Sequence, residues 1–165
     1  MRWQDVLADP SLQNLPYKIE LNEKGVIEMS PASFSHSRLQ AKIAVQLSLQ
    51  LGGEVFTELA IQTSQGVRVP DVAWGSESYT LMHQAELWAS SAPELCIEIL
   101  SPSNTAKDML ERVELFLQAG AIEVWLVEEN GTVSQYDSTG QITTSRFAAN
   151  LTSLLCQPLT LTHDP

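Results

Sequence analysis

The chain is poor in cysteine, in long apolar runs and in basic residues. It has 2 cysteines in 165 residues, Cys96 and Cys156, and they lie far apart in the sequence. A disulfide framework or a zinc site needs clustered ligands, so we expect two reduced, packed thiols. No apolar stretch approaches the roughly 20 residues of a membrane helix. Residues 1–10 lack the unbroken apolar core of a signal peptide, and we therefore expect a cytoplasmic protein.

Positive charge is the third shortage. The 9 Lys and Arg residues are outnumbered by 20 Asp and Glu residues, and the net charge is −11. Affinity for phosphate chains comes largely from Lys and Arg side chains that displace counterions. The charge therefore argues against broad, nonspecific binding of nucleic acid, and a function on nucleic acid would need a local basic site. A serine hydrolase has no support either, because no serine lies in a glycine-rich elbow or beside a histidine in a recognisable pattern.

Length and composition are those of one domain. A chain of 165 residues can bury roughly 70% of its unfolded surface around a single core. Its 44% hydrophobic and 18% charged residues are typical of a globular protein. We expect a single domain over residues 1–165, with its core over about 17–147.

The first half of the chain shows a hairpin and a helix. Residues 17–29 alternate apolar and polar on both sides of NEKG, which predicts a β-hairpin with Gly25 in the turn. From Ser35 the apolar residues recur every four positions, which predicts an amphipathic helix of about 16 residues that ends at Gly52 and Gly53. The repeating residues are Leu39, Ile43, Leu47 and Leu51.

The remaining pattern predicts mostly strands. Strand candidates lie near residues 54–62, 67–74 and 94–100, with a short helix around 79–88 between the second and third. A second helix follows SPSN, capped by Asn104 or Thr105 and ended by Gly120. Two strands then flank an Asn130-Gly131 turn, and a further turn ends at Gly140. The order ββ–α–βββ–α–βββ predicts an α/β (α+β) fold, in which a mixed sheet is flanked by helices and preceded by a hairpin.

Two of the strand candidates each contain a carboxylate. Asp71 lies within RVPDVAW and Glu98 within ELCIEILSPSN. Removing an unpaired carboxylate from water costs several kcal/mol or more, so each needs a partner. One explanation is structural, with Asp71 capping a turn after Pro70 and Glu98 paired with an arginine. The other is one divalent cation shared between neighbouring strands, and ligation by oxygen alone suits Mg²⁺ or Mn²⁺ better than zinc.

The second helix supplies a cation. Arg112 flanks the apolar stripe of this helix and could reach across the sheet edge. A guanidinium in that place could clamp a phosphate. It could equally pair with Glu98 or Glu111, and the sequence leaves both roles open.

Five separated segments, in this order and at about this spacing, resemble the Uma-type restriction-endonuclease-like family of the PD-(D/E)XK nuclease superfamily. They are YKIELNEKGVIEMSP, HSRLQAKIAVQL, VRVPDVAW, ELCIEILSPSN and ERVELFLQAGAIEVWLV. The resemblance covers roughly residues 3–150. It implies a restriction-endonuclease-like core that uses Mg²⁺ (or Mn²⁺) to hydrolyse phosphodiester bonds of DNA.

The resemblance also implies roles for particular residues. Asp71 matches the motif aspartate, Glu98 the second metal-binding acid, and the Ile99 carbonyl a further ligand. The lysine that usually follows the acid by two residues is expected on the next helix in this family, where Arg112 stands. Arginine, with a pKa above about 12, cannot act as a base, although it can stabilise charge on a phosphate. Phe116 replaces a family tyrosine, which removes a hydroxyl near the site. The arginine at position 112 and the net charge of −11 favour the alternative of a catalytically decayed domain, a binding or assembly module that forms a homodimer.

Other residues are weaker candidates. His36 at the start of the first helix and Glu28 at the end of the hairpin could assist the site. Four basic residues in the surrounding segments could bind phosphate: Arg38, Lys42, Arg68 and Lys107. For Arg38 and Lys42, a solvated helix face is an equally simple explanation. The first helix carries no acid between residues 34 and 51, where many members of the superfamily have one. His83 and His163 belong to no motif and are expected at the surface.

Overall fold

The computed structural model describes residues 1–102 and 104–151. The first half contains α1 (Trp3–Ala8), a 3-10 turn (Pro10–Leu12), β1 (Tyr17–Asn22), β2 (Ile27–Pro31), α2 (Phe34–Leu51), β3 (Glu54–Thr57), β4 (Ile61–Thr63), β5 (Gly66–Arg68) and β6 (Val72–Gly75). The second half contains α3 (Glu77–His83), β7 (Leu95–Ile99), α4 (Ala106–Gln118), β8 (Glu123–Val127), β9 (Val133–Asp137) and β10 (Gly140–Ile142).

The strands form two sheets. A four-stranded antiparallel sheet has the order β2-β1-β5-β4, and it contains the predicted hairpin. A six-stranded sheet has the order β10-β9-β8-β7-β6-β3. It is mixed because β7 and β8, the two strands that α4 connects, run parallel while its other pairs are antiparallel. The predicted class, a mixed sheet flanked by helices with an amino-terminal hairpin, is confirmed.

Helices α2 and α4 cover opposite faces of the larger sheet. Strand β7 alternates between the two cores, because successive side chains of a strand point to opposite faces. On one side, α2 packs Leu39, Ile43 and Leu47 against Leu95, Ile97, Ile99 and Trp125. On the other side, α4 packs Met109, Val113 and Phe116 against Cys96, Val124 and Leu126. Each fully buried large side chain of this kind stabilises the fold by roughly 1.5–3 kcal/mol relative to an exposed one.

Both helices begin at hydroxyl caps. The Ser33 side chain accepts a hydrogen bond from the His36 N–H at the start of α2, and Thr105 accepts one from Asp108 at the start of α4. Gly120 follows α4 with φ of 118°, which is the left-handed ending predicted from the sequence.

Two strand predictions were wrong in detail. Residues 54–62 divide into β3 and β4, which belong to different sheets, because Glu58 between them has a φ of 57°. Residues 67–74 likewise divide into β5 and β6. Pro70 has no N–H for a sheet ladder, and the chain bends at Asp71 as it passes from one sheet to the other.

Smaller differences concern the ends and connections. Helix α1 and the 3-10 turn were not predicted, and the short helix predicted near 79–88 is α3, at residues 77–83. Cys96 is a free, buried thiol, as predicted; Cys156 and His163 lie outside the described residues. Across the described ranges, no helix is both long and apolar enough to cross a bilayer. A single domain over residues 1–165 stays a prediction.

Candidate metal centre

Asp71 and Glu98 lie on neighbouring chain segments. Strand β6 pairs with β7 in an antiparallel register that sets Val72 opposite Ile97, and the same register carried back by one residue sets Asp71 opposite Glu98. The Ile99 N–H donates a hydrogen bond to Asp71 Oδ2 at 2.8 Å. The two acids are only 2% and 3% exposed. Both therefore need partners, which the hairpin and two helices supply.

The two carboxylates converge on the ammonium of Lys18. Its Nζ lies 2.7 Å from Asp71 Oδ1 and 3.6 Å from Glu98 Oε2. Lys18 is on β1 of the smaller sheet, next to β5, and the chain continues from β5 through the bend at Asp71 into β6 of the larger sheet. One cationic group thus neutralises charge on two acids that belong to different strands.

Arg112 is held by two other carboxylate contacts. Its Nε donates to Glu98 Oε1 at 2.9 Å, and Nη2 donates to the same oxygen. Nη1 and Nη2 donate to the two oxygens of Glu20 at 2.9 and 2.8 Å, and Nη2 also reaches the Val69 carbonyl at 3.3 Å. Glu20 accepts a further bond from the Val69 N–H at 2.7 Å. The pairing of Arg112 with Glu98, one of the two roles that the sequence left open, is present.

Helix α2 approaches Asp71 from its first two turns. His36 Nε2 lies 3.2 Å from Asp71 Oδ1, the same oxygen that Lys18 contacts. The Gln40 side chain, one turn later, donates to the Asp71 backbone carbonyl at 2.8 Å. The cap at Ser33 sets where the helix begins, and thereby aims both side chains at the bend between β5 and β6.

The cluster of Lys18, Glu20, His36, Gln40, Asp71, Glu98 and Arg112 is called the centre below. Its carboxylates differ in their proton affinity. Burial disfavours the charge of Asp71, but the hydrogen bond from His36 and the charge of Lys18 outweigh it and hold the pKa of Asp71 well below its usual range. For Glu98 burial prevails over the attraction of Arg112 and Lys18, so its pKa is raised. Burial would also raise the pKa of Glu20, but the bonds from Arg112 lower it.

The basic groups respond to the same charges. Burial opposes the charge of Lys18, but attraction by Glu98 and Asp71 raises its pKa. The pKa of Arg112 is raised because its attraction to Glu98 and Glu20 exceeds the cost of burial. The hydrogen bond to Asp71 raises the pKa of His36.

These residues line a cavity of about 590 Å³. Its lining includes the apolar or aromatic residues Leu15, Pro16, Tyr17, Met29, Pro31 and Ala32. It also includes the charged groups Lys18, Glu20, Asp71, Glu98 and Arg112, with His36, Gln40, Glu58 and Ile99. Its four carboxylates exceed its Lys and Arg side chains, which number two, so an anionic substrate would need added positive charge to enter.

The structure brings some sequence-predicted site residues together and separates others. Asp71, Glu98, Ile99, Arg112 and His36 all line the cavity. The remaining predicted residues are not among its lining residues: Glu28, Arg38, Lys42, Arg68 and Lys107.

Most of these outlying residues have partners or positions elsewhere. Glu28 pairs with Arg68 at 3.1 Å, so the hairpin acid binds the nearby arginine and does not join Asp71 and Glu98 at the cavity. Lys107 lies 3.6 Å from Glu111 on an exposed stretch of α4. Arg38 is exposed on α2.

Lys18, Glu20 and Gln40 belong to the centre, although the sequence did not single them out. Lys18 and Glu20 alternate with Ile19 and Leu21, and an alternating strand has one polar face. The one feature of the sequence that could have pointed to Lys18 and Glu20 is that two opposite charges lie on that face. Their partners are 53 and 92 residues away, at Asp71 and Arg112, so nothing in the strand itself indicates that its polar face points inward rather than to water.

The residues present fit a hard divalent cation. Asp71 and Glu98 offer carboxylate oxygens that already share one cationic group. Because the N–H and C=O of a strand residue point to the same edge, the Ile99 carbonyl faces the side on which its N–H bonds Asp71. Over residues 1–102 and 104–151, no three His, Cys, Asp or Glu side chains are grouped to hold a metal. A bound ion would therefore rely on the two acids, a backbone carbonyl and solvent, a ligand set typical of Mg²⁺.

His83 is not a surface residue, contrary to the prediction. Its side chain is 10% exposed, and its ring centroid lies 4.4 Å from that of Tyr79. Nδ1 lies 3.0 Å from Glu86 Oε2, and Nε2 lies 3.1 Å from Ser91 Oγ. Glu86 also accepts bonds from the Ser90 N–H and hydroxyl, so these contacts close the loop that follows α3.

Comparison with known proteins agrees with this architecture. The family model Uma2, described as "Putative restriction endonuclease", matches residues 3–162. The chain is similar to a crystal structure of "a putative nuclease belonging to DUF820" from Anabaena variabilis, with 22% identity and a TM-score of 0.66. That match covers 83% of this chain and 79% of the other, and at this identity it shows the fold alone. None of the curated proteins compared with the chain matches it. Because the family model extends over nearly the whole chain, the protein belongs to the Uma2 family of restriction-endonuclease-like proteins.

Proposed function

We propose that this protein is an endonuclease that uses Mg²⁺ or Mn²⁺ to hydrolyse phosphodiester bonds of DNA. Membership of the Uma2 family supports a nuclease function. The observation that carries the finer proposal is the convergence of Asp71 Oδ1 and Glu98 Oε2 on a single cation, the Lys18 ammonium. Two buried acids arranged around one positive charge provide the electrostatics that a divalent ion needs.

In this proposal Asp71, Glu98 and the Ile99 carbonyl hold the ion. When bound, such an ion polarises a phosphoryl oxygen and lowers the pKa of a coordinated water. The protein's own residues position these ligands. Arg112 fixes Glu98 Oε1, His36 and the Ile99 N–H hold the two oxygens of Asp71, and Gln40 secures its backbone.

The basic residues divide into two groups in this proposal. Arg112 acts first by orienting Glu98, because its guanidinium is bonded to two carboxylates and must release one of them to clamp a phosphate. Outside the cavity, phosphates of flanking nucleotides are the proposed contacts of Arg38, Lys42 and Lys107, whereas Arg68 is only 8% exposed and is paired with Glu28. Glu28 would assist only indirectly, by holding Arg68 in place.

The test is cleavage of DNA. Purified protein is incubated with plasmid and oligonucleotide DNA in Mg²⁺, in Mn²⁺ and in chelator, alongside Asp71→Asn and Glu98→Gln. Glu23→Gln is the matched control, because Glu23 is exposed in the hairpin turn and does not line the cavity. We expect metal-dependent cleavage by the native protein and the control, and a loss of about 100-fold or more in the two site variants, as befits removal of groups essential to transition-state electrostatics. Equal cleavage by the site variants, or none by the native protein on any nucleic acid, would contradict the proposal.

A second candidate is a catalytically decayed domain that acts as a binding or assembly module. The observation in its favour is that Lys18 and Arg112 already neutralise the acids, so the centre is satisfied without an added ion. Isothermal titration with Mn²⁺ separates the two candidates. A decayed centre shows no binding that depends on Glu98, whereas an active one loses its binding in Glu98→Gln.

Two further parts of the proposal concern the protein's surroundings. A homodimer could form through exposed sheet edges, where β3 and β10 each leave one side unpaired within the six-stranded sheet. Light scattering coupled to size exclusion measures this directly. A cytoplasmic location is the other part, and it is tested by fractionation of cells that express a tagged chain.

A further inference from the structure

Lys18 lies where the two acids would otherwise meet a metal ion. Its side chain is 17% exposed, and Nζ is 2.7 Å from Asp71 Oδ1 and 3.6 Å from Glu98 Oε2. The His36 ring reaches the same Asp71 oxygen at 3.2 Å. The space between the two carboxylates is therefore filled by a cation that belongs to the chain itself.

An ammonium and a divalent ion exclude each other from this position. Mg²⁺ lies about 2.1 Å from its oxygen ligands, and Asp71 Oδ1 already has the Lys18 nitrogen within 2.7 Å. Both groups are positive, so repulsion at such short separations in a partly buried site adds to the steric conflict. Ligation by both acids requires Lys18 to leave.

Lys18 can leave, whereas Arg112 is held in place. Arg112 donates four hydrogen bonds to two carboxylates and a fifth to a carbonyl. Lys18 makes one short contact and one long contact at the end of a flexible four-carbon stem, and it lines the open cavity. Of the lysine and the arginine, Lys18 is therefore the cation with fewer bonds to break.

We infer that Lys18 is an internal competitor for the metal ion, which holds Asp71 and Glu98 together in the metal-free protein and moves into the cavity when the ion binds. This inference rests on the proposed function. Once displaced, the ammonium becomes the cation best placed to contact the phosphate of a nucleic-acid substrate, because Arg112 remains bonded to Glu20. The lysine that is missing two residues after Glu98 and at the position of Arg112 is thus supplied from β1.

The first experiment measures Mn²⁺ affinity by isothermal titration in the native protein and in Lys18→Met. Lys24→Met is the control, because Lys24 lies in the same hairpin and gives the same change in net charge, but it does not line the cavity. We expect Lys18→Met to bind Mn²⁺ about tenfold more tightly or more, a coupling typical of competing ligands, with the control unchanged. Unchanged or weaker binding by Lys18→Met overturns the inference.

The second experiment uses the native chain and does not depend on the folding of a variant. Lysines are labelled with acetic anhydride with and without Mn²⁺, and the labelling of each lysine is followed by mass spectrometry. Displacement predicts that Mn²⁺ speeds labelling of Lys18 several-fold and leaves Lys24 unchanged. Bound Mn²⁺ with no change at Lys18 overturns the displacement and leaves the proposed function standing. Absence of Mn²⁺ binding in both the native protein and Lys18→Met overturns both proposals.

Discussion

The guanidinium of Arg112 donates two parallel hydrogen bonds to the carboxylate of Glu20, at 2.9 and 2.8 Å. This bond joins α4 to β1, which are 92 residues apart in sequence. Because the same guanidinium also bonds Glu98, it connects the smaller sheet, the larger sheet and a helix at one point. Arg112 therefore has a structural function whether or not the protein cleaves DNA.

Removal of Arg112 should strongly destabilise the fold. Arg112→Met leaves Glu20 and Glu98 buried without their main partner, and breaking a buried ion pair from one side typically costs about 3–5 kcal/mol. The measurement is urea unfolding followed by circular dichroism. Arg38→Met, an exposed position on α2, should change the free energy of unfolding by less than about 0.5 kcal/mol. A small loss in Arg112→Met, equal to that in the control, would show that the guanidinium contributes little.

Arg112→Lys should not cleave DNA faster than the native protein does. A lysine cannot donate the forked pair to Glu20 and still bond Glu98, so we expect a loss of about 1.5–3 kcal/mol in the free energy of unfolding, as for hydrogen bonds to charged groups. Cleavage should stay equal to that of the native protein or decrease. A large gain in cleavage rate would mean that the arginine impairs the centre. It would also mean that the lysine that assists cleavage belongs at position 112 on α4 rather than at Lys18.

His36 should make the stability of the metal-free protein depend on pH. Its contact with Asp71 raises the pKa above the ordinary value of 6.5, so the folded chain binds the proton more tightly than the unfolded chain. The extra stability is fully present below about pH 6.5 and is lost as the pH rises through the raised pKa. We expect the difference in unfolding free energy between the native protein and His36→Asn, measured in chelator from pH 5 to 9, to be largest at low pH. A difference that stays constant over this range would exclude the link.

Gly66 should be required to hold the hairpin against β5. Its φ is 96°, and a Cβ there would overlap the carbonyl oxygen of Leu21, on the strand that carries Lys18 and Glu20. Gly140→Ala is a matched control, since Gly140 has a φ of 115° but no heavy atom within 4 Å of the added carbon. Both variants carry a backbone cost of about 1–2 kcal/mol, and Gly66→Ala should lose measurably more stability because of the overlap. Equal losses would show that the hairpin can shift without cost.

The sequence predicted the elements whose signals are local. The apolar repeat of α2, the cap of α4 at Thr105 and the hairpin turn at Gly25 all depend on residues within one or two turns of each other, and each is present. Strand boundaries at Glu58 and Pro70 were missed, because a bend between two sheets has the same apolar residues as a continuous strand.

The centre was predicted in part for the same reason. Asp71 and Glu98 are conspicuous because each acid interrupts an apolar strand, and that anomaly is visible without a structure. Lys18 and Glu20 are ordinary surface residues by sequence. They become part of the centre only because β1 pairs with β5 and so turns its polar face towards the bend at Asp71.

By itself, the sequence determined that two carboxylates would be removed from water and would need positive charge, since burial of an unpaired acid is too costly to tolerate. The tertiary structure alone decided which charges meet them. Asp71 faces Lys18, and Glu98 and Glu20 share Arg112, through contacts that span 53, 14 and 92 residues of chain. Such pairings are set by how the sheets and helices pack, and no local pattern encodes them.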